Sequence, residues 1–527
     1  MTAFPDLPPE CIVHIFLQLV PHDIAGSRLI SRAFWAIIDE SLELQYIIEL
    51  DVLGLVPPPA ALNELPLHGK VRALKEKRRT RDIGADGMTH IYLYPKDHGN
   101  IVVETYETVS FSRGVFAFKG KDWSNKLGIY QFASENRGID CNRYRINCPP
   151  KSYMMALEPS FDLLVLFGTT DEGLALHLRS IQTGLPHPGA LFPRILCSSP
   201  TGIPLFTYTT IVVEIVGRRI VHMAETSESG TSVITIWDWT SGQIVTSTKV
   251  LGYSLAFLSE DMFLVPPPTG YATDDNPHHL ALYTCNGVSS GGPARCVARL
   301  YFATSDGLQI RCTQFEPSPL PSVRDCSIPL VSPPRVYDTS PASHYITLYI
   351  DFLGSGSGRL FIHSFDLLSL VDSLATDHGQ CLSVPWLKWG SATSWIHSAA
   401  LNDRDIACSV FGHLVTCLFH GDDLHDWVVG IFDLRTSKKQ ALPKPQPDLV
   451  SPEEQIEFFL NDGSMSVQYP LLAKSFSIPV GVIPWDDDWY MTTNHQCGVT
   501  LMVDDEHIII FKSPSDTVKA SLHIYPL

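Results

Sequence analysis

The chain has 527 residues, 45% hydrophobic and 10% aromatic, enough to fill a large core and to exclude a disordered chain. Lys and Arg number 38 against 56 Asp and Glu, a formal charge of −18. That balance argues against nucleic acid as the main partner, because phosphate needs a basic face, and against anionic membrane surfaces. No apolar run approaches the roughly 20 residues of a membrane span, and no basic stretch precedes an apolar one at the N-terminus. The 12 cysteines form no Cys-x-x-Cys pair and fit no zinc spacing, and no Asn-x-Ser/Thr acceptor occurs. The expected compartment is reducing and intracellular, cytoplasmic or nuclear, with cysteines serving as small core hydrophobes.

In chain order, Phe4-Pro5-Asp6-Leu7-Pro8-Pro9-Glu10 leads into Cys11-Ile12-Val13-His14-Ile15-Phe16-Leu17-Gln18-Leu19. Pro8 and Pro9 suit the first turn of a helix, where a missing N–H is no loss. Glu10 complements the positive end of that helix. The helix is too apolar for its size. Cys11, Ile12, Val13, Ile15, Phe16, Leu17, Leu19 and Val20 cover most of the cylinder. Only Glu10, His14 and Gln18 form a polar stripe. A helix on one core needs an apolar arc of about 100°, so cover on two sides is expected. Asp23 is placed to cap a short second helix with Ile24 and Leu29. Ser31 is placed to cap a third, with Phe34, Trp35, Ile37 and Ile38. A helical unit of about 40 residues is too small to be robust alone. Either another protein completes its core, or the unit docks on the rest of this chain.

The spacing Leu7-Pro8-x-Glu10, Ile12, Ile15-Phe16, Leu19, Asp23-Ile24, Arg28 and Ile30-Ser31-Arg32-x-Phe34 resembles the F-box. F-boxes are helical modules that dock on a Skp-type adaptor of a cullin–RING ubiquitin ligase. The resemblance covers residues 4–45 and places an F-box domain at residues 1–50. It implies that Leu7, Pro8, Ile12, Ile15, Phe16, Leu19, Ile24, Ile30 and Phe34 contact the adaptor. Two departures stand out. Phe34 occupies the usual Trp position, with Trp35 one residue later, and Leu42-Glu43-Leu44 replaces the usual Leu-Trp.

Val56-Pro57-Pro58-Pro59-Ala60 then breaks helical structure. A basic helical segment follows, from Lys70 to Arg81, with Val71 and Leu74 among the charges. It reads as a solvated face on a linker of residues 51–94 rather than as a nuclear-import signal.

Residues 95–527 look all-β, with short Val-, Ile-, Leu-, Phe- and Tyr-rich runs between Gly, Pro, Asn, Asp and Ser clusters. One pattern recurs: an alternating apolar strand, an aromatic or polar pair, then a turn. Ile234–Gly242 and Leu174–Gly184 are the clearest copies. Leu127–Phe132, Leu280–Thr284, Arg359–Asp366 and Gly430–Thr436 are weaker ones. Their spacing is mostly about 50 residues, roughly one propeller blade, which gives seven or eight blades. A pair of β-sandwiches is the alternative. Ile236-Trp237-Asp238 resembles the end of a WD repeat, and Gly412-His413 upstream of Ile431-Phe432-Asp433 partly echoes another. Ser521-Leu522-His523-Ile524-Tyr525 is expected to pair with the first blade and close the ring. The expected fold class is thus a small all-α module followed by an all-β propeller. Leu176-His177-Leu178-Arg179-Ser180 with Thr183-Gly184, and Val384-Pro385-Trp386, resemble F-box proteins of mushroom-forming fungi.

No nucleophile elbow, phosphate loop, dinucleotide fingerprint, zinc-protease helix or EF-hand loop is present. No catalytic residue, cofactor or metal is expected. Asp274-Asp275 with His278-His279 reads as a solvated loop. Trp485, Asp486, Asp487, Asp488 and Trp489, acids flanked by aromatics, are the candidate cargo contacts. The F-box resemblance with a propeller implies the substrate-recognition subunit of an SCF-type E3 ubiquitin ligase. Its partners would be a Skp-type adaptor, a cullin–RING ligase and a target protein on the propeller. The alternatives are a scaffold of the same build outside a ligase, or a propeller enzyme such as a glycosidase. The enzyme would need two carboxylates about 5–10 Å apart in a pocket.

Overall fold

The computed structural model describes residues 7–58, 65–83, 89–92, 106–120, 125–134, 136–149, 151–197, 210–226, 230–266, 270–271, 278–302, 309–316, 336–352, 356–374, 380–397, 407–420, 427–439, 468–478, 499–512 and 521–526. Four helices open the chain: α1 Pro9–Phe16, α2 Pro21–Ser27, α3 Arg32–Glu40 and α4 Leu42–Leu53. A fifth, α5 Leu67–Ile83, follows the proline break. Pro9 and Pro21 start α1 and α2, where no N–H partner is lost. Ser31 Oγ accepts the Phe34 N–H at 3.1 Å and so caps α3 as expected. Ser41 does the same for α4 through Leu44. Asp23 is not a cap: α2 starts two residues earlier, and Asp23 lies in its first turn.

α4 carries apolar side chains on two sides because it separates two cores. Leu44 and Ile48 join Ile12, Phe16, Ile24 and Ile38 beneath α1–α3. Tyr46, Leu50 and Leu53 join Val71 and Leu74 of α5 and Val336 and Tyr337 downstream. Gly54 ends the helix at φ +69°, and a side chain there would run into His413.

The rest is a seven-bladed β-propeller. Six blades span residues 106–147, 152–196, 210–251, 256–301, 309–397 and 407–478. Each has four antiparallel strands, and the first strands stand side by side around the axis, as Tyr106–Ser112 does with Ser152–Glu158. The seventh blade is shared by the two ends of the ring. Ser521–Pro526 pairs on one side with His507–Lys512 and on the other with Thr89–Tyr92. The closing strand therefore precedes residue 95 and belongs to the last blade rather than the first. Closure pairs the outer edge of Ser521–Pro526 and ties the two ends of the ring together.

The six recurring segments are the third strands of blades 1 to 6: Lys126–Gln131, Gly173–Ser180, Thr231–Asp238, His279–Thr284, Gly356–His363 and Trp427–Lys439. Ser521–Pro526 is the third strand of blade 7. In Thr231–Asp238 only Val233 is not fully buried. A strand with neighbours at both edges and blades on both faces tolerates few polar residues. Asp238 ends that strand by accepting the Thr240 and Ser241 N–H groups at 3.0 and 3.1 Å. Arg218 and Arg219 hold its other oxygen at 3.0 and 3.3 Å. Gly412-His413 forms the first turn of blade 6, where His413 Nε2 lies 3.9 Å from Asp433 Oδ2.

Blade 5 carries an insertion between its third and fourth strands. It contains α6 Ser364–Leu374, the strand Leu382–Val384 and α7 Trp386–Trp389. That strand runs parallel to Arg295–Tyr301, the outer strand of blade 4. Trp389 Nε1 donates to Tyr301 O at 2.9 Å, and Trp386 and Trp389 pack edge-to-face at 4.6 Å. The Val384-Pro385-Trp386 stretch thus staples two blades. No described helix is long and apolar enough to cross a membrane.

Deleting the last eight residues should lower the melting temperature of the whole ring, read by circular dichroism. A truncated chain that melts like the intact one would show that the seam does not hold the ring.

Candidate functional site

The helices α1–α3 bury one side and expose another. Ile12, Phe16 and Ile24 are 3%, 3% and 0% exposed and lie within the unit's own core. Phe34 is half-buried, its ring 5.3 Å from that of Phe16. These side chains were expected to contact an adaptor. Ile12, Phe16 and Ile24 are instead covered by Ile38, Leu44 and Ile48 and hold the unit's shape. Leu7 is half-buried and Pro8 exposed. Ile15, Leu19 and Ile30 are 40%, 40% and 71% exposed.

Three further side chains join this exposed set: Val20 at 60%, Leu29 at 92% and Trp35 at 55%. Sequence spacing carried a signal for Trp35. Adjacent helical residues point about 100° apart, so an inward Phe34 turns Trp35 outward. Leu29, expected on the second helix, follows the end of α2 at Ser27 and carried no such signal. Six large apolar side chains on α1–α3 and the turns that join them are thus left exposed. Burying each is worth about 1.5–3 kcal/mol.

The exposed surface is fixed relative to the ring by a polar clamp. Tyr46 Oη donates to Val336 O at 2.7 Å, and burial pushes its hydroxyl up to about 12. Asn136 Oδ1 accepts the Val336 and Tyr337 N–H groups at 3.0 and 3.1 Å. Its Nδ2 donates to Asp505 Oδ2 at 3.1 Å. From α5, Lys77 donates to Asp505 O and stands 5.5 Å from the centre of the Tyr337 ring. Arg78 pairs with Glu49 of α4 at 3.5 Å. The basic segment is therefore a contact surface as well as a solvated face. Arg435 donates to Asp51 O and Val52 O, both at 3.2 Å, placing a cation on the negative end of α4. Leu55–Val56 adds a short antiparallel pairing with Asp338–Thr339.

Asn136, Val336–Thr339, His413 and Asp505 all sit on turns between first and second or third and fourth strands. Those turns share one face of the ring. The helices occupy that face. A cleft of about 510 Å³ remains beside α4, lined by Leu50, Gly54, Pro57, Tyr345, His363 and Arg435. Two of its polar groups are already engaged: His363 with Asp366 at 2.7 Å, Arg435 with Asp433 at 2.7 Å.

Next to the clamp, Asp504 accepts the Glu506 and His507 N–H groups at 2.8 and 2.7 Å and faces His507 Nδ1 at 3.2 Å. Burial acts to raise the Asp504 carboxyl, but His507, Arg137 and those N–H groups hold it at about 2. Burial acts to lower His507, but Asp504 first, then Glu506 and Asp505, lift it above its usual 6.5.

Trp485, Asp486, Asp487, Asp488 and Trp489 lie outside the described residues, as do Asp274 and Asp275. His278 is buried rather than solvated. Among the described residues no group of three His, Cys, Asp or Glu side chains is arranged to hold a metal.

No protein-family model matches the chain, and no curated protein matches it. Similar solved structures include the β-propeller domain of the Trilobed protease from Pyrococcus furiosus, at 9% identity and TM-score 0.40, over 80% of this chain and 92% of that one. Kluyveromyces lactis Hsv2 aligns at 8% identity and TM-score 0.37, over 78% and 90%. An acylaminoacyl peptidase of Pyrococcus horikoshii aligns at 9% and 0.34, over 80% and 51%. The strand order of the chain itself defines its class: a seven-bladed propeller carrying an N-terminal helical unit.

Two predictions separate the roles of these residues. Ile24→Ala should destabilise the helical unit by about 2–5 kcal/mol, while Ile30→Ser changes stability by less than about 0.5 kcal/mol. Equal losses on denaturant titration would contradict the division into inner and outer faces. Protonated His507 is favoured by folding, so its contribution is complete below pH 6.5 and is lost as pH rises through the raised value. Between pH 6 and pH 9 the melting temperature should therefore fall more for the intact chain than for His507→Gln. Parallel curves would show that His507 is not charged in the fold.

Proposed function

We propose that the chain is the target-binding subunit of an SCF-type ubiquitin ligase. In this reading α1–α3 dock on a Skp-type adaptor, and the ring holds the target protein. One observation carries the proposal. The helical unit already has a complete inner core and is fastened to the ring, yet six large apolar side chains stay exposed on α1–α3 and their junctions. Folding onto this chain does not use them, and apolar surface of this kind marks a docking site. The adaptor contacts are then Pro8, Ile15, Leu19 and Ile30, joined by Val20, Leu29 and Trp35. Ile12, Phe16 and Ile24 act by shaping that surface from within.

The chain contributes no bond-making chemistry in this reading. It raises the effective concentration of a target lysine beside a ubiquitin-charged enzyme. The clamp gives that effect a fixed geometry, because Tyr46, Asn136, Lys77 and Arg435 leave little play between docking helices and ring. With the helices on one face, the target belongs on the opposite face or at the channel mouth, where loops gather. The charge of −18 favours a basic or Lys-rich target. Such a complex works in the cytoplasm or nucleus.

Co-purification from cells with a Skp-type adaptor and a cullin tests the proposal. Replacing both Leu29 and Trp35 by Asp should weaken adaptor binding at least tenfold while the ring melts unchanged. Undiminished binding by that variant, or no adaptor in the intact chain's eluate, would overturn the reading. Adaptor without cullin would place the chain outside a ligase.

A further inference from the structure

We propose that Cys296 and Cys381 form a thiol pair that a hydroperoxide closes into a disulfide, tying the blade 5 insertion to the rim of blade 4. Cys296 lies on the outer strand of blade 4, Arg295–Tyr301. Cys381 immediately precedes the inserted strand Leu382–Val384. These two strands run parallel with Ala298 opposite Leu382, Arg299 opposite Ser383 and Leu300 opposite Val384. That register brings the sulfurs to 3.4 Å, although the residues are 85 apart in sequence. A disulfide needs a separation of about 2.05 Å, so closure calls for an approach of roughly 1.4 Å. The inserted strand is held to blade 4 by a pairing of three residues, and Cys381 is exposed at its entry. Small movement there costs little core packing.

The two thiols differ in ways that order the chemistry. Cys381 is exposed and meets the oxidant first. Cys296 is half-buried, and burial together with its neighbour Cys381 pushes its thiol up to about 12, so it stays protonated. The Cys381 sulfur attacks the O–O bond of the peroxide. An S–O bond forms, the O–O bond breaks, and the departing oxygen takes the Cys381 proton and leaves as alcohol or water. Cys296 sulfur then displaces the hydroxyl of that sulfenic acid. The S–S bond forms, the S–O bond breaks, and the Cys296 proton leaves with the hydroxyl as water. Two thiols lose two electrons, and the peroxide gains them.

A second close pair sets the contrast. Cys408 and Cys417 face each other across the first two strands of blade 6, with sulfurs 3.6 Å apart. Both are buried, which slows their reaction with an oxidant relative to the exposed Cys381.

The test uses the purified full chain, titrated with hydrogen peroxide below its melting temperature, then alkylated and digested without reduction. Mass spectrometry should find the Cys296 and Cys381 peptides joined, two hydrogens lighter, before any Cys408–Cys417 link forms. The joined peptide should disappear on adding dithiothreitol. It should be absent in Cys381→Ser, which melts like the reduced intact chain, and kept in Cys408→Ser. Over-oxidation of Cys381 with Cys296 still alkylated, or random pairing of Cys381 with the exposed Cys11 or Cys141, would overturn the proposal.

Discussion

Everything in this molecule rests on one seam, the antiparallel pairing of Ser521–Pro526 with Thr89–Tyr92. A propeller blade has little core of its own, and its apolar faces are buried only by its neighbours. An open ring would leave two blades half-covered and a row of unpaired backbone groups at an edge. Supplying the outer strand of the last blade from the start of the ring holds the two ends together and pairs the outer edge of Ser521–Pro526. The seam also decides where the helices go. α5 ends at Ile83, a few residues before Thr89, so the helical unit is tethered beside blade 7. Lys77 of α5 then meets Asp505 in the first turn of that blade.

From this tether the helical arrangement follows. α4 is apolar on two sides, and the chain buries those sides between two cores: α1–α3 on one, α5 and Val336–Tyr337 on the other. Backbone groups at that junction are paired rather than stranded. Asn136 meets the Val336 and Tyr337 N–H groups, and Arg435 meets the last carbonyls of α4. Such a junction is stiff because loosening it leaves buried polar groups without partners, at about 1–3 kcal/mol each. What the arrangement does not cover is the outer side of α1–α3. The sequence alternative in which the unit docks on the rest of the chain is met by α4. α4 docks within the chain, and the surface of α1–α3 stays open.

Much of the ring was legible in the sequence for a definite reason. The third strand of each blade is enclosed on all sides, so its apolar residues run nearly unbroken, and six of seven such strands stood out. The seventh did not register as a copy because its blade is split between the two ends of the chain. That split also left the blade number at seven or eight. First and fourth strands border the channel or rim, tolerate polar residues, and gave a weaker pattern. In the helices, Pro9 and Ser31 marked starts correctly because their effects are local. Asp23 misled because Pro21 begins α2 earlier. The exposed face of α1–α3 was only half legible: an apolar pattern shows that Ile12, Phe16, Ile15 and Ile30 are apolar, but not which of them are buried.

The account's central claim is that α1–α3 present a docking surface on a unit already complete and clamped to the ring. Amide hydrogen exchange on the full chain, with and without a purified Skp-type adaptor, tests it most directly. The account predicts slowed exchange over residues 9–38, with α4, α5 and the third strands of the ring unchanged. No protection within α1–α3, or protection on the blades instead, would contradict it.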